Sequence, residues 1–206
     1  MVIIYKQYWN FCFTEKRLSL AEIISLMRNI WLLVLPALFW SQLNYAQQER
    51  IKGAVIENYG PTYAVPQPEF ATNLDETYKV VFDVSNAPED PSAVNKWIET
   101  VARFLNMHAE AGKKLETMDV VLVLHGNASY GLLQDSFYEE KFGVSNPNIE
   151  LFKALDTAGV DLILCGQTAK HRNLTKERRI AEVTLSLSAM TALIQLQNNN
   201  YTLINF

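Results

Sequence analysis

Val160-Asp161-Leu162-Ile163-Leu164-Cys165-Gly166 is the stretch on which the reading of the fold turns. Apart from Asp161 it is apolar up to Gly166, with no alternation of polar and apolar residues. That is the pattern of a strand covered on both faces, and such strands belong to parallel sheets. Immediately upstream, Ile149, Leu151, Phe152, Leu155 and Ala158 fall on one helical face, and Gly159 stands where a left-handed C-terminal cap is favoured. A helix that feeds a doubly covered strand is half of a βαβ unit.

The same unit recurs on either side. Asp119 to Leu124 is a second near-continuous apolar run, stopped by His125-Gly126-Asn127. Ahead of it Ser92 opens a helix in which Val94, Trp97, Ile98, Val101, Leu105 and His108 recur at spacings of three and four, until Gly112 ends it. Tyr78 to Val84 is β-rich and is followed by the turn residues Ser85 to Pro91, so it reads as the first strand. Beyond Cys165, Asn173 to Thr175 start a long helix with Ile180, Val183, Leu187, Met190 and Ile194 on one face, and Tyr201 to Phe206 supply a last strand. Strands alternating with helices predict an α/β fold, a three-layer sandwich whose mostly parallel sheet carries helices on both faces.

The N-terminal third reads differently. Met27-Arg28-Asn29 precedes an apolar run, Ile30 to Trp40, and then polar residues ending at Tyr45-Ala46. A charge ahead of a short apolar run is the layout of a signal peptide, and the run is about half of the roughly 20 residues that a helix needs to span a bilayer. The expected organisation is therefore an N-terminal extension with a signal peptide over 1–46 (the signal itself 27–46), an irregular Pro- and Gly-bearing lead-in over 47–77, and one α/β domain over 78–206. The mature protein would be periplasmic or secreted, with no permanent membrane span.

Composition excludes other classes. With 49% hydrophobic and 19% charged residues, the 206-residue chain is a globule. Its net charge is −4, and loss of residues 1–46 removes Lys6, Lys16, Arg17, Arg28, Glu15 and Glu22, which takes it to −6. Basic residues are scattered apart from Lys170 to Arg179, so no stripe exists to neutralise a phosphate backbone, and nucleic acid is not an expected partner.

Ligands of open parallel sheets bind outside the carboxyl ends of the strands. Those ends deliver Ser85-Asn86, His125-Gly126-Asn127 and Cys165-Gly166-Gln167, followed by Thr168, Lys170, His171 and Arg172. Cys165 is the strong nucleophile among them, and Gly166 lets a substrate or an amide approach closely. Lys170, His171 and Arg172 supply positive potential that favours a thiolate. Cys12 goes with the leader, so Cys165 is left without an intramolecular partner. It is then either a buried strand-end hydrophobe or a thiol kept for chemistry. His125 is a candidate acid, base or hydrogen-bond donor to a sulfur species, against the alternative of a histidine capped in a loop. His171 is open to the same two readings, and His108 reads as packing. Cys165, His125, His171 and the scattered carboxylates lack paired metal-ligand spacing, and His125 to Gly131 matches neither GxGxxG nor GxxxxGK, so neither a metal nor a nucleotide cofactor is expected.

The run Val160 to Thr168, then Arg172, then Leu185 to Gln197 and a terminal strand after Tyr201, resembles the C-terminal half of DsrE/DsrF-like proteins, and the likeness extends from about Tyr78 to Phe206. The resemblance implies a flavodoxin-like α/β sandwich, assembly into homotrimers or homohexamers, and a sulfur relay. In that relay Cys165 carries a persulfide between thiol-bearing donor and acceptor proteins, with His125, Gly166, Gln167, His171 and Arg172 in support. The export signal departs from the cytoplasmic members of that family. A non-catalytic small-ligand-binding or assembly module with a buried Cys165, and a thiol redox sensor, are the rival readings.

Overall fold

The computed structural model describes residues 19–21, 24–25 and 50–205. The chain divides into two compact units, Met1–Gln48 and Glu49–Phe206. The expected signal peptide lies outside the described residues. Among the described residues no helix is long and apolar enough to cross a membrane.

The second unit holds a five-stranded, wholly parallel sheet: β1 (Tyr78–Val84), β2 (Met118–Leu124), β3 (Asp161–Cys165), β4 (Val183–Ser186) and β5 (Thr202–Asn205), in the order β4-β3-β2-β1-β5. From β1 to β4 each strand is laid beside its predecessor. The crossovers carry α1 (Lys96–Glu110), α2 (Asp135–Phe142), α3 (Ile149–Thr157) and the short α4 (Gly166–His171). After β4 the chain returns past three strands to set β5 beside β1, and α5 (Ala189–Asn198) makes that return. Right-handed crossovers running in one direction put their helices on one face, so a reversal puts the next helix on the other. The result is the flavodoxin-like α/β arrangement with helices on both faces.

Strand alternation sorts the core accordingly. Val80, Phe82, Val84, Val120, Leu122, Leu124, Leu162 and Leu164 pack with α1 and α3 in a large cluster, while Val81, Val121, Val123 and Cys165 pack with Ala189 and Ala192 of α5 in a small one. Asn95 caps α1, its Oδ1 accepting from the N–H groups of Trp97 and Ile98 at 3.0 and 3.4 Å. The helix thus starts three residues after the Ser92 suggested by sequence. His108 is packing, as read: its ring lies against Tyr78 and Phe104, and Nδ1 sits 2.7 Å from the Phe104 carbonyl.

Two features depart from the sequence reading. The expected long helix from Asn173 is instead a turn-rich segment, a strand and a ten-residue helix. Asn173 takes a left-handed φ of 54°, which stops helical propagation, and Ser188 caps α5 through a 3.0 Å bond from the Thr191 N–H. The stripe Leu187, Met190, Ile194 also turns away from the sheet, with 72%, 72% and 59% exposure. Ala189 and Ala192 face the strands in its place, with Leu193 and Leu196 packed beside them.

Residues 50–77 contribute only an isolated bridge between Ile51 and Thr62 to regular structure, yet they are tied to α1 and its C-terminal turn by buried polar groups. Asn106, fully buried, accepts at Oδ1 from the N–H groups of Val55 and Ile56 and donates from Nδ2 to the carbonyls of Ile56, Tyr59 and Gly60. The buried Lys113 ammonium donates to the carbonyls of Asn73, Leu74 and Glu76 and stands 3.9 Å from the centre of the Tyr78 ring.

Candidate functional site

Cys165 is the last residue of β3 and the N-cap of α4. Alternation along β3 aims its side chain at the α5 face, and it is 6% exposed. Burial pushes the thiol up, because a thiolate loses hydration there. The Thr168 hydroxyl and the backbone N–H groups of Thr168, Ala189 and Gln167, aimed at the sulfur, more than offset this and hold the thiol below its ordinary value. Two helix starts contribute these donors, Gln167 and Thr168 from α4 and Ala189 from α5.

Gly166 makes that convergence possible. A Cβ there would stand 2.4 Å from the Ser186 carbonyl oxygen and 3.0 Å from that of Leu187, so the link from β4 into α5 passes where any other side chain would block it. Gln167 Nε2 donates to the Leu187 carbonyl at 3.2 Å, and Ser186 Oγ to the carbonyls of Leu164 and Ser188 at 3.2 and 3.0 Å. The register pairs Cys165 with Ser186 directly.

His125 follows β2, its N–H donating to the Val84 carbonyl at 3.1 Å. Continuing the register that pairs Leu124 with Leu164 by one residue sets His125 beside Cys165 on the same face. Its ring, however, turns toward β1: Nε2 lies 3.0 Å from Asp83 Oδ1. That buried oxygen receives no well-directed hydrogen bond. Because β2 lies between β1 and β3, a ring directed at Asp83 is directed away from Cys165. His171 and Arg172 stand at the far end of α4, about 9 Å along its axis from the cysteine by helical rise. His171 is exposed there, and Arg172 donates to Asn127 Oδ1 at 2.8 Å while lying 4.3 Å from the Tyr130 ring centre. The structure thus gathers Cys165, Gly166 and Gln167, places His125 on the adjacent strand, and leaves His171 and Arg172 apart.

Asp83 and the Ala189 N–H were not singled out from sequence, and Thr168 was named only as one of the residues that follow the Cys165 strand, without a role. Asp83 had a visible signal, an acid inside the apolar strand Tyr-Lys-Val-Val-Phe-Asp-Val. Among the described residues no group of three or more His, Cys, Asp or Glu side chains is placed to hold a metal ion.

A family model described as DsrE/DsrF-like matches residues 79–206. The chain is also similar to two solved structures, each with a TM-score of 0.46 and each covering 63% of this chain and 99% of its own. They are the protein of unknown function MTH1491 from Methanobacterium thermoautotrophicum, at 19% identity, and the ychN protein from E. coli, at 16%. No curated protein matches the chain significantly.

Proposed function

The chain belongs to the DsrE/DsrF-like family, and from that premise we propose that it is an exported sulfur carrier that holds sulfane sulfur as a persulfide on Cys165. The observation that carries the reading is the ring of donors around this thiol, which favours the thiolate at a strand's carboxyl end. In the proposed step the Cys165 thiolate attacks the outer sulfur of a donor persulfide. A new S–S bond forms, the donor's S–S bond breaks, and the donor leaves as its thiolate. An acceptor thiolate then takes the outer sulfur in the same manner and restores Cys165, with no net oxidation. The N–H groups and the Thr168 hydroxyl stabilise the anionic sulfur at both ends of the cycle. Self-association into a homotrimer or homohexamer belongs to the same reading, supported by the uncovered stripe on α5.

A buried, non-catalytic Cys165 in a binding or assembly module is the second reading, and the 6% exposure favours it. One experiment separates the two. Incubation of the folded protein with a small persulfide donor, followed by intact mass measurement, should add one sulfur atom to wild type and none to Cys165→Ser. Wild type that gains no sulfur, or a serine variant that gains as much, sinks the carrier.

A further inference from the structure

On the sheet face opposite Cys165, a cavity of about 440 Å³ opens beyond the carboxyl ends of β1 and β2. Its size is that of a small-molecule site. Its apolar wall is made by residues such as Pro88, Pro91 and Phe142, and its polar lining consists largely of Asn95, Asn127, Asn148 and Tyr130.

The orientation of each amide is fixed by what it already bonds. Asn95 Oδ1 accepts two backbone N–H groups, so its nitrogen is the atom that donates to the Asn86 carbonyl, at 2.8 Å. Asn148 Oδ1 accepts from the Asn95 N–H at 2.8 Å, so its nitrogen donates to Asn146 Oδ1 at 3.2 Å. Each nitrogen carries two hydrogens and spends one, and both residues are buried. Asn127 Oδ1 is taken by Arg172. Its nitrogen, like the Tyr130 hydroxyl, has no partner among the described residues. The lining is therefore rich in unused donors. Two cations stand beside it, Arg172 and Lys141, 4.3 and 4.5 Å from the Tyr130 ring centre. Glu89, the one carboxylate in the lining, is exposed to water.

Unused N–H groups in a buried wall call for acceptors, nearby cations call for negative charge, and the proline and aromatic surfaces call for a flat apolar body. We propose that this cavity binds a small organic carboxylate with an aromatic or unsaturated body, its carboxylate toward Asn127 and its ring toward Phe142 and Pro91. The proposal does not rest on the sulfur reading, because the cavity and Cys165 lie on opposite faces of the sheet.

Titration of the full chain with benzoate, followed calorimetrically and by ligand-observed NMR, tests it. Saturable binding is expected, weaker by tenfold or more for the neutral isostere benzamide. A similar loss is expected in Asn127→Leu, an exposed position whose variant should melt as wild type does, while Cys165→Ser should bind benzoate unchanged. Absence of saturation up to about 10 mM benzoate, equal binding of benzamide, or unaltered binding by a folded Asn127→Leu overturns the proposal.

Discussion

At Cys165, loss of hydration and donated hydrogen bonds act in opposite directions, and Thr168 is the side chain that tips the balance. Replacing Thr168 with Val keeps the shape and removes the hydroxyl. The pH midpoint of Cys165 alkylation should then rise toward the ordinary thiol value of about 8.5, while the fold persists; an unmoved midpoint would remove Thr168 from the site. The sign for stability follows. A folded thiol held below its unfolded value contributes stability above the unfolded value, and that contribution is lost as pH falls through the folded one. Wild type should therefore gain on Cys165→Ser as pH is raised across that window. Sequence located the cysteine because a strand end before glycine is a local pattern. It brought Gln167 and Thr168 to the same strand end but missed the Ala189 donor, because that N–H reaches the sulfur only through the pairing of Cys165 with Ser186 in β4. Nor did it flag Asp83, since an acid in a strand is ordinarily read as facing water.

Four of the five strands and both long crossover helices of the first face were legible as elements, because each is a periodic, β-rich or continuous apolar run bounded by glycine or turn residues. β4 was not. Val183-Thr184-Leu185-Ser186 is short, and its apolar residues also fit a helical spacing that continues into Leu187, Met190 and Ile194. The spacing was real but described an outward face; the contact with the sheet is made by a second stripe, Ala189, Ala192, Leu193 and Leu196, whose helical spacing competes with the first. The close passage of β4 into α5 over Gly166 gives the element its sharpest test. In Gly166→Ala the added methyl meets a backbone carbonyl, which no side-chain rotation relieves. The substitution should cost about 1–3 kcal/mol in urea unfolding. A variant as stable as wild type would show that the link moves freely.

For the molecule as a whole, the outward stripe of Leu187, Met190 and Ile194 is apolar surface left exposed among the described residues. Covering by a second copy predicts a light-scattering mass that is a multiple of the chain's, and Ile194→Glu should reduce it to that of one chain; a wild-type monomer at micromolar concentration refutes the assembly. The ties between α1 and residues 50–77 bear on a different question, where this protein can be cut. Likeness to the family begins at residue 79, after the carbonyls and N–H groups that Asn106 and Lys113 use and after the ring of Tyr78. A fragment started there would keep the sheet apart from Tyr78, yet lose the hydrogen-bond partners that residues 50–77 give Asn106 and Lys113 and uncover the core that Ile56 helps to close. Each such bond is worth about 0.5–1.5 kcal/mol and the burial of Ile56 about 1.5–3 kcal/mol, against a total stability of about 5–15 kcal/mol. Residues 79–206 alone should therefore lack the cooperative melting transition that residues 50–206 retain. On that expectation, the stretch that resembles the family is shorter than the stretch that folds by itself.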